Sequence, residues 1–134
     1  DDIMLTIAPG EHGSTYGGSP MAASVAIASL SVVRDEQLTR NAFEMGELFR
    51  NEIAKINNPM LLKVRGKGLL NAVVTRPMEH KTAWDICLAL KENGLLAKPT
   101  HGDIIRFTPP LIITKEQMMD SIAIIRKTLD AFGK

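Results

Sequence analysis

The stretch Leu62-Lys63-Val64-Arg65-Gly66-Lys67-Gly68-Leu69-Leu70-Asn71-Ala72-Val73-Val74-Thr75 reads as two strands, residues 62–65 and 69–75, folded about a glycine-bracketed turn. Branched and aliphatic side chains suit a half-buried pleated surface, and the glycines mark a bulge or tight turn at which the two runs pair as a hairpin. Toward the C-terminus, Thr82-x-x-Asp85 has the form of a capping box, and it opens a helix that Asn93-Gly94 terminates. Residues 95–98 and 103–108 then read as short strands, the second stopped by Pro109-Pro110. Thr114-x-x-Gln117 caps a last helix whose Met118, Ile122, Ile125, Leu129 and Phe132 form one apolar stripe. The order from about residue 60 is β-β-α-β-β-α, which predicts a small α+β unit with helices on one face of a mostly antiparallel sheet.

Toward the N-terminus the character changes. Asn57-Asn58-Pro59 stops a helix that Asp35 is expected to cap, with Leu38, Ala42, Met45, Phe49, Ile53 and Ile56 on its apolar face. Before it, Ser19 and Pro20 read as N-cap and first position of another helix, in which residues 21–33 carry no charge at all. A helix apolar all round needs neighbours on every side, more than this short chain can supply. Residues 1–34 are therefore expected to end a larger domain, and residues 35–134 to form a smaller one with its own core. The opening Asp1-Asp2-Ile3-Met4 is neither a start methionine nor a targeting peptide, so a fragment is expected.

A chain of 134 residues with a formal charge of +1 gives no bulk electrostatic reason to bind nucleic acid or an anionic membrane. No long uncharged apolar run predicts a membrane span. The single Cys87 lies in an apolar helical stretch, where a small core residue is expected, and a reducing compartment fits. His12, His80 and His101 have no metal-ligand spacing, so no metal is expected. The densest functional signal is residues 9–19, where glycines let backbone approach a ligand and adjacent hydroxyls can donate to anionic oxygens. Phosphate is the natural ligand class, although G-x-x-x-x-G-K-[ST] is absent, and on spacing alone a plain surface loop stays the commoner reading.

The segment Gly10-Glu11-His12-Gly13-Ser14-Thr15-Tyr16-Gly17-Gly18-Ser19-Pro20 closely resembles the H-G-S-T-Y-G-G-N-P segment of the ornithine aminotransferase family. That family lies within the class III branch of fold-type I pyridoxal-phosphate (PLP) enzymes. Val64-Arg65-Gly66-Lys67-Gly68-Leu69-Leu70-Asn71-Ala72 agrees as well, and so does the run from Asn93 through Lys98-Pro99-Thr100-His101-Gly102-Asp103-Ile104-Ile105-Arg106-Phe107 to Leu111. The first segment is shared by class III aminotransferases generally, whereas the run from Lys98 to Phe107 favours the ornithine enzymes. Ser19 departs from the family's usual asparagine but keeps an N-cap residue.

The resemblance implies an α/β parent fold of fold type I. Residues 1–34 would end the large PLP-binding domain, as phosphate loop and interface helix, and residues 35–134 would be the small C-terminal α+β domain. It implies PLP as cofactor and a homodimer in which Ser14 and Thr15 contact the phosphate held by the neighbouring subunit. Arg106 would bind the carboxylate of glutamate or 2-oxoglutarate, a task suited to a planar guanidinium fork. No catalytic residue is expected in this chain, since the family's cofactor-bearing lysine precedes the segment that begins at Asp1, and the chain alone is expected to be inactive. Lys98 is the tempting nucleophilic amine, and the resemblance argues against it. The activity implied for the parent is δ-amino transfer from ornithine to 2-oxoglutarate, in the mitochondrial matrix or the cytoplasm. Another class III enzyme, of acetylornithine or 4-aminobutyrate type, and a non-catalytic α+β interaction module are the alternatives. Arg65 and Lys67 read as solvated surface cations, and Trp84, Met118 and Met119 as core.

Overall fold

The structure, a computed structural model, describes residues 2–76 and 82–132 and divides into two compact units, Asp1–Glu36 and Gln37–Lys134. His80, weighed above as a metal ligand, lies outside the described residues.

The first unit holds a short 3-10 turn, Met4–Thr6, the glycine-rich loop, and helix α1, Pro20–Asp35. Ser19 caps α1 as expected, its side chain accepting from the Ala22 N–H at 3.5 Å, with Pro20 at the first position. No residue of α1 is buried, and Met21, Ile27 and Leu30 are each at least two-thirds exposed. The all-round burial predicted from its composition is thus not met within its own unit, which offers only a turn and a loop to pack against. Asp35 does not cap the next helix. It is the last residue of α1, paired with Arg34 at 2.7 Å, and Gln37, in the left-handed region at φ 52°, sets the start of α2, Leu38–Ala54.

The second unit adds β1 (Leu61–Lys67), β2 (Leu70–Thr75), α3 (Ala83–Glu92), β3 (Lys98–Thr100), β4 (Ile104–Phe107) and α4 (Lys115–Phe132). The sheet order is β1-β2-β4-β3 and every neighbouring pair is antiparallel. α2 lies against β1 and β2, α3 against β3 and β4, and α4 against both helices. Alternation decides the faces: Asn71, Val73, Thr75, Ile105 and Phe107 are buried toward the helices, while Leu70, Ala72, Val74, Ile104 and Arg106 take the opposite face. The core joins Phe49, Ile53 and Ile56 to Ile86 and Leu90 and to the α4 stripe of Met118, Ile122, Ile125 and Leu129. Phe49 and Phe107 meet with ring centroids 5.5 Å apart.

Local chemistry accounts for the element ends. Thr82 and Asp85 form the full capping box of α3, and Thr114 and Gln117 bond reciprocally at the start of α4. Gly94 takes φ 89° to close α3, and the Leu95 N–H returns to the Leu90 carbonyl at 2.9 Å. That helix-terminating bond uses the residues read as strand 95–98, so the ladder begins only at Lys98. The hairpin turn is Gly68-Leu69, with Gly68 at φ 53°, one step later than read, and Leu69 is buried in the turn. Trp84 and Met119 are exposed, contrary to the core reading. Each sits one residue from a buried neighbour, Ala83 or Met118, and so falls off the buried stripe.

Candidate functional site

Three features carry chemistry, one in the first unit and two in the second. The glycine-rich loop is exposed throughout, with Gly10 at φ 91° and Gly18 at φ 80°. Ser14 Oγ accepts the Gly17 N–H at 2.9 Å, the arrangement of a capped turn. Accepting that bond leaves the Ser14 O–H free to donate. Thr15, beside it, makes no hydrogen bond among the described residues. The loop therefore presents two adjacent hydroxyl donors on a backbone bent by glycine, a donor set suited to a phosphate. His12 is exposed in the same loop. No group of three or more His, Cys, Asp or Glu among the described residues could hold a metal.

Arg106 lies in the second unit on the open face of the sheet, exposed, with no ion pair among the described residues. It is cross-strand partner to Ala72 on one side and Lys98 on the other, and Ala72 pairs in turn with Arg65. Directly opposed residues share a face, so one row across the sheet reads Arg65, Ala72, Arg106, Lys98. A hollow of about 380 Å³ lies over this row, with Ala72 in its floor and Arg65, Lys67, Ile104 and Arg106 around it. A second hollow, about 470 Å³ and mainly apolar, is lined by Phe49, Asn71, Leu95, Arg106, Pro110 and Ile125 among others. Arg106 borders both. The row was invisible without register, because Arg65 and Lys98 lie in strands far apart in sequence; alternation within β4 alone placed only Ile104 with Arg106.

The third feature supports the second. Asn71 is 2% exposed, and its amide donates to the Gly68 carbonyl at 3.1 Å. Arg50 of α2 donates to that same carbonyl at 3.0 Å and to Asn71 Oδ1 at 2.6 Å, while Glu47 receives its other nitrogen at 2.6 Å. This clasp pins the hairpin turn to α2. The glycines allow it: a Cβ at Gly46 would stand 1.9 Å from the Gly68 carbonyl oxygen, and one at Gly66 would stand 2.4 Å from Asn71 Oδ1. Gly66 thus serves close approach inside β1 rather than the turn. Cys87 is buried on α3, where desolvation pushes its thiol up to about 11, so it is a core residue and no nucleophile at neutral pH.

These features meet known proteins along nearly the whole chain. A family model described as aminotransferase class-III matches residues 1–129. A mitochondrial ornithine aminotransferase of Drosophila melanogaster is 59% identical over 96% of this chain, which spans only 30% of that protein. Among solved structures, an ornithine aminotransferase of Plasmodium yoelii superposes with a TM-score of 0.86 at 48% identity, covering 98% of this chain and 35% of that one. An acetylornithine aminotransferase of Elizabethkingia anophelis superposes with a TM-score of 0.84 at 54% identity, with the same coverage. A match over this length, joined to a fold shared at that identity, leaves one assignment: the chain belongs to the class III aminotransferases.

Proposed function

We propose that these 134 residues are the C-terminal third of an ornithine aminotransferase, which moves the δ-amino group of ornithine to 2-oxoglutarate to give glutamate semialdehyde and glutamate. In this reading residues 1–34 end the large PLP-binding domain and residues 35–134 form the small C-terminal domain. The observation that carries it is Arg106: an exposed guanidinium over an open hollow, with no carboxylate partner among the described residues. A bidentate fork so placed recognises a carboxylate that arrives from outside the chain.

PLP, when bound, supplies the electron sink for amino transfer. The residues here fit its phosphate end: Ser14 and Thr15 offer hydroxyl donors that no neighbour among the described residues consumes as donors. Their work is to anchor and orient, and in a homodimer they would do so across the subunit boundary. The chain's contribution to the second half-reaction is Arg106, which holds and orients the diacid. No proton-transfer role falls to any residue of this chain. A mitochondrial matrix or cytoplasmic location fits this reading, and none of the described helices is long and apolar enough to cross a membrane.

The test is Arg106→Ala in the intact enzyme, with steady-state kinetics on both substrates. Removing a bidentate charge-assisted pair costs about 3 kcal/mol, so KM for 2-oxoglutarate should rise by about a hundredfold. PLP content, read from visible absorbance, should stay at the wild-type level. Equal loss of PLP and of 2-oxoglutarate use would remove Arg106 from the substrate role. The identity to an acetylornithine aminotransferase sustains a second reading, which predicts a preference for N-acetylornithine over ornithine in the same assay.

A further inference from the structure

Arg106 does not stand alone on its face. We propose that Arg65 and Lys98, which share its cross-strand row, form with it a three-cation strip that selects dianionic over monoanionic ligands at the Arg106 site; this rests on the reading of Arg106 as the carboxylate fork.

The geometry follows from register. Neighbouring strands lie about 4.8 Å apart, which sets Lys98 one spacing from Arg106 and Arg65 two spacings away on the other side. Ala72 fills the position between the two arginines and ends at its Cβ, so the space between them stays open as the floor of the hollow. Like charges directly opposite on a sheet are destabilising, and here Lys98 and Arg106 are directly opposite. Among the described residues, the neighbouring rows offer nothing to offset them. The adjoining rows on this face carry Lys67 with Leu70, and Lys63 with Val74, Ile104 and Thr100, none of them acidic. The four ion pairs among the described residues, Arg34–Asp35, Arg40–Glu44, Arg50–Glu47 and Lys55–Glu52, all lie on the helices or at their ends. Among the described residues, Arg65, Lys98 and Arg106 therefore have no neutralising partner, and an anionic ligand is the group that turns their mutual repulsion into attraction.

The division of labour differs within the strip. Arg106 makes the hydrogen bonds, while Arg65 and Lys98 act through their field at one or two strand spacings. Field energy scales with ligand charge, so losing one of these cations should weaken a monoanion by some factor and a dianion by its square. For a unit charge several ångströms away in a solvent-exposed setting, that means about twofold for a monoanion and about fourfold for a dianion. The two losses should multiply in the double variant.

The experiment is calorimetric titration of the intact PLP-form protein with glutarate, a non-reacting diacid, and with pentanoate, its monoacid counterpart. Arg65→Gln, Lys98→Gln and the double variant are compared with wild type. Expected are affinity losses of about fourfold, fourfold and sixteenfold for glutarate, against about twofold, twofold and fourfold for pentanoate. The differences should shrink at about 0.5 M salt, and Arg65→Lys and Lys98→Arg should restore glutarate affinity. Equal losses for both ligands, or no loss for glutarate, would overturn the strip. If Arg106→Ala abolishes the diacid preference while Arg65→Gln and Lys98→Gln leave it at the wild-type level, the strip falls while the function proposed above stands. If glutarate does not bind the wild-type protein, both fall.

Discussion

Replacing Gly46 by alanine sets a local gain against a tertiary clash, and the structure says which wins. In the middle of α2 the change should favour the helix by about 1 kcal/mol, since glycine carries the largest backbone entropy penalty. The added Cβ, however, would lie 1.9 Å from the Gly68 carbonyl oxygen and 2.5 Å from its carbonyl carbon. These are backbone atoms and cannot swing aside. Restoring ordinary contact means moving the hairpin turn off α2 by more than an ångström, which strains or breaks the Arg50 bonds to Gly68 and Asn71. Overpacking costs about 1–3 kcal/mol, and losing one of the two charge-assisted bonds costs about 1.5–3 more, so the net destabilisation should be about 3 kcal/mol after the helix gain. Thermal melts followed by circular dichroism measure it. Gly94→Ala is the control, because Gly94 carries only backbone strain at φ 89° and meets nothing within 4 Å, so it should lose only about 1 kcal/mol. A Gly46→Ala melt at or above wild type, or above Gly94→Ala, would refute the close seam between α2 and the hairpin.

Other expectations follow from the same contacts. Asn71→Leu keeps bulk but leaves the Arg50 guanidinium without its 2.6 Å acceptor, and should cost about 2 kcal/mol in urea unfolding. A loss below about 0.5 kcal/mol would mean that Arg50 finds another partner. Thr82→Ala removes the α3 cap and should cost about 1 kcal/mol, measured the same way. Cys87, with its thiol raised from 9.0 to about 11 by burial, should react with a thiol reagent at neutral pH about a hundredfold more slowly in the native state than after unfolding. The sign for stability runs the same way: the folded state favours the protonated thiol, so this contribution is whole below pH 9 and fades as pH rises through about 11. A wild type whose stability falls no further from pH 8 to 11 than that of a Cys87→Ser control would contradict it.

Periodicity and caps carried much of the second unit, because they are local. The β-β-α-β-β-α order, the Thr82 and Thr114 capping boxes, the Gly94 stop and the α4 stripe all depend on residues within a few positions of one another. Where local reading failed, the competing force was a neighbouring element. Residues 95–97 carry a strand-like composition but are drawn into closing α3, and Asp35, a good N-cap type, is held in α1 beside Arg34. The glycine-rich loop was legible as a ligand-binding type from composition, while the roles of Ser14 and Thr15 came from resemblance and stand as proposals.

Taken alone, the order of amino acids determined the elements, the family and the candidates Ser14, Thr15 and Arg106, since each is a property of a contiguous run. Only tertiary structure decided strand register, which is set by long-range pairing and the turn at Gly68-Leu69. Register is what puts Arg65 and Lys98 on the row of Arg106, and close packing is what demands glycine at positions 46 and 66. Sheet neighbours are joined by hydrogen bonds between segments distant along the chain, so no local pattern of residues encodes which side chains stand side by side.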